Sequence, residues 1–416
     1  MNNVTADVAV IGGGASGLAA AVGLLESYNL DVVIAERLDR VGRKILATGN
    51  GRCNLSNRNI TVKAYHGTVK NVMNIIENTP SAEEFFNNLG ILCVSDEQGR
   101  MYPVSNSAAS VLGALRIRVD MLGGRQLCGF EVKRIEGSFG NYSLCSDDSV
   151  IRCKAVIIAA GGYAAPSFGT DGAMTRILRE MGCRTAKICP AVAPLRVTQE
   201  SVKGLKGVRV KGKIAAVSGG KVLREELGEI QFTENSLSGI CVFNLAYLFS
   251  EYEGRLTLRA DLMPEMKQSE LEEYLCMVQA MRYDCPLEEL LTGIFVKNLA
   301  VYIIKKALGR SMNSTVSSVT YPEIRGIARI IKCLEFEVTG SSSWQNAQVT
   351  SGGIHGDCVN ESLELKSNRG IYLCGEILDV DGDCGGYNLQ WAWSSGLWAA
   401  ENCVKLLKTE AINDKN

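Results

Sequence analysis

Six residues near the start of the chain, Gly12-Gly13-Gly14-Ala15-Ser16-Gly17, and a later acid, Glu36, have the types and spacing that hold a dinucleotide. In a G-x-G-x-x-G turn Gly12 allows the tight bend and Gly14 lets a pyrophosphate approach the backbone. Gly17 then lets the following helix lie close to the strand, and Glu36 accepts hydrogen bonds from a ribose diol. These residues need elements to position them. Val8, Val10 and Ile11 predict a strand buried on both faces. Leu18 to Leu25 predicts a helix whose free N–H groups and positive end face the phosphates. Val32-Val33-Ile34-Ala35 predicts a second strand that ends at Glu36. A glycine-rich turn of an unrelated α/β domain is the competing reading. The complete order of strand, glycines, helix, strand and acid weighs against it.

A second dense patch lies near the other end. Ile371 to Cys374 predicts a short strand ending at Gly375-Glu376, where an acid can take hydrogen bonds from sugar-alcohol hydroxyls. DVDGDCGGYN then reads as a loop, and Leu389 begins a long helix. The N–H groups of Gly386 to Leu389 point at whatever sits in front of that helix. A flavin pyrimidine carbonyl, which gains negative charge on reduction, suits such a field. DVDGD lacks the x₅-Glu spacing and flanking helices of a calcium loop, so calcium is set aside. Trp391, Trp393 and Trp398 at helical spacing read as core packing ahead of substrate stacking.

Composition narrows the class. The chain has 416 residues, 46% hydrophobic and 21% charged, with a net charge of −1. That suffices for two or three packed domains and argues against disorder and against nucleic acid as a main partner. The 15 cysteines are scattered without CxxC pairs, so neither a disulfide framework nor a zinc site is expected. Neither a signal peptide nor a membrane span is expected at the N-terminus. A cytoplasmic enzyme that works on a small molecule is the expectation; oligomeric state is not legible.

Between the patches the chain changes texture. Residues 37–57 read as a long loop rich in Gly, Asn and cations, either solvated or lining a ligand with main-chain N–H groups. SAEEFFNNLG predicts a helix capped by Ser81, and a strand, a turn and a helix from about Ser107 follow. From Gly124 three alternating strands are expected, the last ending at Ala159-Ala160-Gly161-Gly162. Val132, on the first of them, is a candidate for main-chain contact with an adenine; a hairpin without a ligand role is the alternative. Another helix runs from about Pro166 to Met181. Residues 195–262 predict strands of a barrel or curved sheet, Pro264 to about Arg310 predicts helices, and strand character returns at ARIIKCLEFEVTG.

These patches resemble the BaiN-like family of NAD(P)/FAD-dependent flavoproteins. The matching stretches are VIGGGASGLAAA, GRKILATGNGRCNLSN, GRMYPVSNSAASVLGAL, GEIQFTENSLSG, VTSGGI and GEILDVDGDCGGYNLQWAWSSG. The resemblance implies an α/β Rossmann-like FAD-binding domain of the glutathione-reductase type, with an inserted β-barrel-like domain that carries a helical subdomain. The corresponding boundaries are 1–190 with 343–416, 191–262 with 326–342, and 263–325. It implies FAD contacts by Ala15, Ser16 and Gly17 on the pyrophosphate, Glu36 on the ribose, and Arg43 and Lys44 near the phosphates. Gly49, Asn50 and Asn54 fall nearer the ring, Val132 at the adenine, Glu376 at the ribitol, and Asn388 and Leu389 at the ring. Arg37, Thr48, Ala160, Gly161, Gly375, Gly386 and Tyr387 complete the candidate set. One departure, Ser236-Leu237-Ser238-Gly239-Ile240-Cys241, falls in the inserted domain and bears on substrate choice.

The flavin would supply the redox chemistry. No second G-x-G-x-x-G follows a strand, so NADH or NADPH is expected to dock transiently. Three functions stay open: a reductase of activated C=C bonds such as those of enone-bearing bile-acid intermediates, an amine oxidase returning electrons to O₂, and a non-catalytic flavin-holding module that binds RNA or a partner. A reductase needs a proton donor. Tyr387 is the first candidate and Tyr163 the second, each with packing as its competing role. His355 reads as a surface-loop residue, and Cys53 and Cys384 read as structural.

Overall fold

The computed structural model describes residues 2–252 and 256–413. The chain divides into two compact units, residues 1–190 with 347–416, and residues 191–346.

The first unit is built on a five-stranded sheet in the order Ile371–Leu373, Ala155–Ile158, Val8–Ile11, Val32–Glu36, Arg125–Cys128. All four pairings are parallel. Side-chain alternation splits each strand between two cores. Val8, Val10, Val32, Ile34 and Ile157 pack with the helices Ala15–Ser27, Ala108–Met121 and Tyr387–Asn413. Ala9, Ile11, Val33, Val156 and Ile371 face a second core with Phe130, Leu144 and Trp391. Burial on both faces is what the short β-branched runs demand, and the layering is of Rossmann type. Trp391 and Trp393 belong one to each core. A Cβ at Gly396 would lie 2.4 Å from the Ser16 carbonyl, so the C-terminal helix closes tightly on the first.

Several expectations need correction. Residues 125–158 hold five strands, not three: Arg125–Cys128, Arg134–Ser138, Asn141–Cys145, Ser149–Cys153 and Ala155–Ile158. The middle three form a separate sheet, edged by Asn2–Thr5. The switch is at Lys154, where the N–H groups of Lys154 and Ala155 both donate to the Asp7 carbonyl, at 3.0 and 3.2 Å. Apolar alternation runs straight across it and hides the break. Val132 consequently lies outside any strand. The loop 37–57 contains a helical turn, Arg43–Ala47, and pairs Ser56–Asn57 with Arg100–Pro103. That partner belongs to a hairpin with Cys93–Ser95 where a single strand was expected. The helix after Pro166 starts only at Ala173, whose N–H is capped by Asp171. The C-terminal helix starts at Tyr387, two residues before Leu389. Helix Ala82–Asn88 forms as expected, with the Ser81 hydroxyl accepting the Glu84 N–H at 3.1 Å.

In the second unit six strands close into a barrel, in neighbour order Leu195–Val197, Ser236–Ser238, Lys221–Phe232, Arg209–Ser218, Leu256–Asp261 and Leu334–Ser341. Leu256, Leu258, Ala260, Leu334, Phe336 and Val338 alternate into its core. The helices Gln268–Met281, Lys297–Leu308 and Tyr321–Lys332 lie between the last two strands in sequence. The last of them takes in ARIIK, which was expected to be strand. Thr320 and Glu323 form a capping box at its start, and Ile324, Ile327, Ala328 and Ile331 repeat at helical spacing along its buried face. Among the described residues no helix is long and apolar enough to cross a membrane.

Candidate functional site

The three glycines of the opening turn have different reasons to be glycine. Gly12 has φ +103°, and a Cβ there would sit 2.5 Å from the Ala159 carbonyl oxygen. A Cβ at Gly17 would sit 1.9 Å from the Gly12 oxygen. Both positions are dictated by the protein's own backbone. Gly14 is the opposite: nothing lies within 4 Å of its Cβ position. It opens onto free space in front of the Ala15–Ser27 helix, whose N-terminus no side chain caps. Unpaired N–H groups facing an open space form an anion seat.

Glu36 is 8% exposed and ties down the backbone on either side of it. Its Oε2 accepts the Gly13 N–H at 2.8 Å and its Oε1 accepts the Leu38 N–H at 2.9 Å. Each oxygen keeps a second lone pair for another donor. The Phe130 N–H donates to the Glu36 carbonyl at 2.9 Å, which brings the segment leading to the buried Val132 alongside.

The cations of the next segment divide. Arg37 turns to Asp171 at 2.7 Å, and that guanidinium holds the Asp171 carboxyl below the usual carboxylate range, against the opposing effect of burial. Arg43 lies 3.8 Å from the exposed Asp39. Lys44 reaches Glu376 at 2.8 Å. The other Glu376 oxygen takes the Thr350 N–H at 2.9 Å, and the Thr350 hydroxyl accepts the N–H groups of Tyr163 and Ala164 at 2.7 and 3.0 Å. Lys44, Glu376 and the segment Gly162-Tyr163-Ala164, which directly follows Ala160-Gly161, are thus drawn together from distant sequence. Thr350 is a member of this cluster that sequence reasoning missed, although VTSGGI contains it.

Thr48 donates its hydroxyl to the Ile45 carbonyl at 2.6 Å. Gly49, Asn50 and Gly51 all have positive φ, at 56°, 55° and 82°. Such a run turns the backbone itself toward a site. The Asn54 Oδ1 is buried without a partner. It stands 2.8 Å from the Cβ position of Gly386, which has φ +104°.

Gly375 has φ +75°, and a Cβ there would press on the Ser16 hydroxyl at 2.4 Å. At the start of the C-terminal helix Asn388 clasps Gly382: its Oδ1 accepts that N–H at 2.8 Å and its Nδ2 donates to that carbonyl at 2.7 Å. Leu389 packs against the core. The Tyr387 hydroxyl donates to the Asn59 carbonyl at 3.3 Å, and its ring meets Tyr65 edge-on at 6.0 Å. Tyr163 packs over Gly172. Burial pushes the Cys53 and Cys384 thiols up to about 11. His355 caps a turn by accepting the Asp357 N–H at 3.2 Å. Sequence reasoning also missed Asn57, which donates to the Gly385 carbonyl at 2.9 Å, and the contact between His66 and Asp383.

The HI0933-like protein Rossmann domain family matches residues 6–402. The chain belongs to that family. It is 35% identical over 403 residues to the 3-dehydro-bile acid delta(4,6)-reductase of Clostridium scindens, covering 94% of this chain and 97% of that one. Over 401 residues it is 25% identical to the ribosomal RNA dihydrouridine synthase of Haemophilus influenzae, covering 93% and 95%. Among solved structures, 3-ketosteroid delta1-dehydrogenase from Sterolibacterium denitrificans superposes with a TM-score of 0.53 at 13% identity, over 96% of this chain and 99% of that one. That likeness is one of fold. The chain is a BaiN-like, FAD-dependent oxidoreductase, as its motifs led one to expect.

Proposed function

We propose that the first unit holds an extended FAD and that the protein uses it to reduce a carbon–carbon double bond conjugated to a carbonyl, with NADH or NADPH as a transient donor. The observation that carries the cofactor reading is the contrast at the glycine turn: Gly12 and Gly17 are demanded by backbone, whereas Gly14 faces open space at an uncapped helix start. The unpartnered Asn54 Oδ1 beside Gly386 adds an unused acceptor at the other end.

In this reading the N–H groups of Ala15, Ser16 and Gly17 hold the pyrophosphate, with Arg43 and Lys44 nearby. Glu36 takes the ribose diol on its remaining lone pairs, and Val132 lines the adenine. Glu376 turns to the ribitol, while Gly49, Asn50 and Asn54 approach the ring. Asn388 fixes the loop in front of the C-terminal helix, so that the N–H groups of Tyr387, Asn388 and Leu389 offset negative charge on the pyrimidine side. The flavin supplies hydride exchange, and the chain supplies binding, orientation and field.

The substrate class rests on the relatives' chemistry. A 3-dehydro bile acid unsaturated at Δ4,6 is a conjugated ketone, and dihydrouridine is uridine reduced at a double bond conjugated to a carbonyl. Both names describe one bond type. A small molecule is favoured over RNA by the charge pattern of the strand Arg209–Ser218 and its neighbourhood. Arg209 pairs with Glu229 at 3.3 Å, Lys213 with Glu225 at 3.2 Å, and Lys206 with Glu234 at 3.1 Å. Basic groups already neutralised in this way release few phosphate counterions.

Anaerobic mixing of the yellow protein with NADH and with NADPH, followed by a conjugated 3-ketosteroid, tests the proposal. Bleaching of the flavin by either nucleotide and its reoxidation by the ketone are expected. Reduction by small amines with peroxide formed in air would replace it with an oxidase, and reoxidation by uridine-containing ribosomal RNA alone would move the substrate to RNA.

A further inference from the structure

His66 lies on Tyr65–Gly67, which pairs antiparallel with Val380–Gly382, and Asp381 stands directly opposite it. The pairing runs on at both ends, since the Asp383 N–H donates to the Ala64 carbonyl at 2.9 Å and the Thr68 N–H to the Asp379 carbonyl at 3.1 Å. With side chains alternating along each strand, Asp379, Asp381 and Asp383 share one face with Ala64, His66 and Thr68. Asp379 is 4% exposed and Asp381 2%. The Asp379 carboxylate takes the Thr68 hydroxyl at 2.7 Å. His66 Nε2 lies 3.2 Å from the Asp383 Oδ1, and each side chain is 11% exposed. A single imidazole therefore faces a row of enclosed carboxylates, and among the described residues no such cluster is arranged to hold a metal ion.

This face is tied to the proposed ring end of the site. Asn388, at the start of the C-terminal helix, clasps Gly382 and also donates to the Asp383 carbonyl at 3.3 Å. The other titratable groups of the surroundings are Tyr65, Tyr387 and Cys384, with Arg100 acting on Cys384 through its charge and His355 acting likewise on Asp379. Burial holds the Tyr65 and Cys384 protons in place at neutral pH, and Tyr387 is bonded to Asn59. Imidazole is the side chain whose ordinary range lies nearest neutral pH, and His66 is the histidine that this face carries.

We infer that His66, oriented by Asp383, is the proton store of the reaction, loaded when the flavin is reduced and emptied when the substrate is. The inference rests on the FAD reading above. With a flavin bound here, the negative charge of its reduced form would be balanced by a proton that His66 takes from water. A substrate double bond that received one hydride at its far carbon would take the proton for the carbon next to the carbonyl from the imidazolium by way of water. One double bond, one hydride and one proton give one saturated ketone, with the flavin oxidised and His66 neutral again. His66 is a positioning and proton-holding residue here, and Asp383 fixes which nitrogen faces the carboxylate.

The chain has two histidines, so ¹⁵N-histidine labelling of the holoenzyme gives two imidazole systems, and His355→Gln assigns them. The expected result is that dithionite reduction at pH 7 protonates His66 and leaves His355 unchanged. Proton uptake per flavin is expected to be about one lower in His66→Gln than in the parent. Asp383→Asn should remove the response while the protein stays yellow. A yellow protein whose His66 signal is indifferent to reduction overturns the inference and spares the FAD reading. A protein that binds no FAD overturns both.

Discussion

The Glu36 Oε2 accepts the Gly13 amide at 2.8 Å. The acid expected to recognise a ribose therefore also pins the turn proposed to receive the pyrophosphate, and its other oxygen pins Leu38. In the proposed reading, nucleotide recognition and local folding share one side chain.

Replacing Glu36 should for that reason cost more than a ligand contact. Glu36→Ala leaves the buried Gly13 amide and the half-buried Leu38 amide unpaired, and a loss of about 1.5–3 kcal/mol is expected for each bond to a charged acceptor. Glu36→Gln keeps one acceptor and should melt between the two. Thermal melts of both variants, with flavin absorbance, check the order. Equal melting of Glu36→Ala and the parent would contradict it.

The glycines should separate folding from binding. Gly17→Ala drives a methyl against the Gly12 oxygen and should cost about 3 kcal/mol. Gly14→Ala meets nothing within 4 Å, so its apoprotein should melt within about 1 kcal/mol of the parent while losing most of its flavin. A Gly14→Ala protein that stays fully yellow would show that no pyrophosphate sits against this turn.

Asp379 supplies a pH dependence with a definite sign. Burial raises its carboxyl above the ordinary 3.8, although the bonds from Thr68 oppose this. The folded state thus binds more proton than the unfolded chain in the window above 3.8, and stability falls as pH rises through it. Asp379→Asn cannot ionise and should gain stability relative to the parent from pH 4 toward neutrality. A constant difference across that range would contradict the assignment.

The thiols should sort by burial. With Cys53 and Cys384 held protonated up to about 11, iodoacetamide at pH 8 should leave both unmodified. The half-buried Cys276 and Cys285 should be alkylated ahead of the buried Cys53. Peptide mapping after short exposure reads this directly, and early labelling of Cys384 would reopen a reactive role for it.

The opening strand, helix and second strand were legible because each apolar run ends at a residue with one conformational purpose. Gly12 ends the first run and Glu36 the second. Legibility failed where one periodicity crosses a topological change. SVIRCKAVII alternates without pause, yet Lys154 moves the chain from one sheet to another by a pair of bonds to Asp7 that no local pattern encodes. At ARIIK, β-branched content read as strand, while the capping box upstream had already committed the chain to helix. The site divides in the same way. Glycines announce where backbone must come close. Thr350, Asn57 and the pairing of His66 with Asp383 depend on contacts between residues far apart in sequence, so residue type alone does not reveal them.

The central sheet of the first unit places Ile371–Leu373 beside Ala155–Ile158, and residues 191–346 intervene as a unit with its own core. On a ribosome this sets an order of events. The barrel strands have emerged and can close on each other while the nucleotide-binding sheet still lacks an edge strand and the long helix that covers it. The glycine turn, synthesised first, is among the last features to gain its full surroundings. Truncation between residue 347 and the C-terminal helix Tyr387–Asn413 should therefore leave a folded barrel attached to an unfinished nucleotide domain.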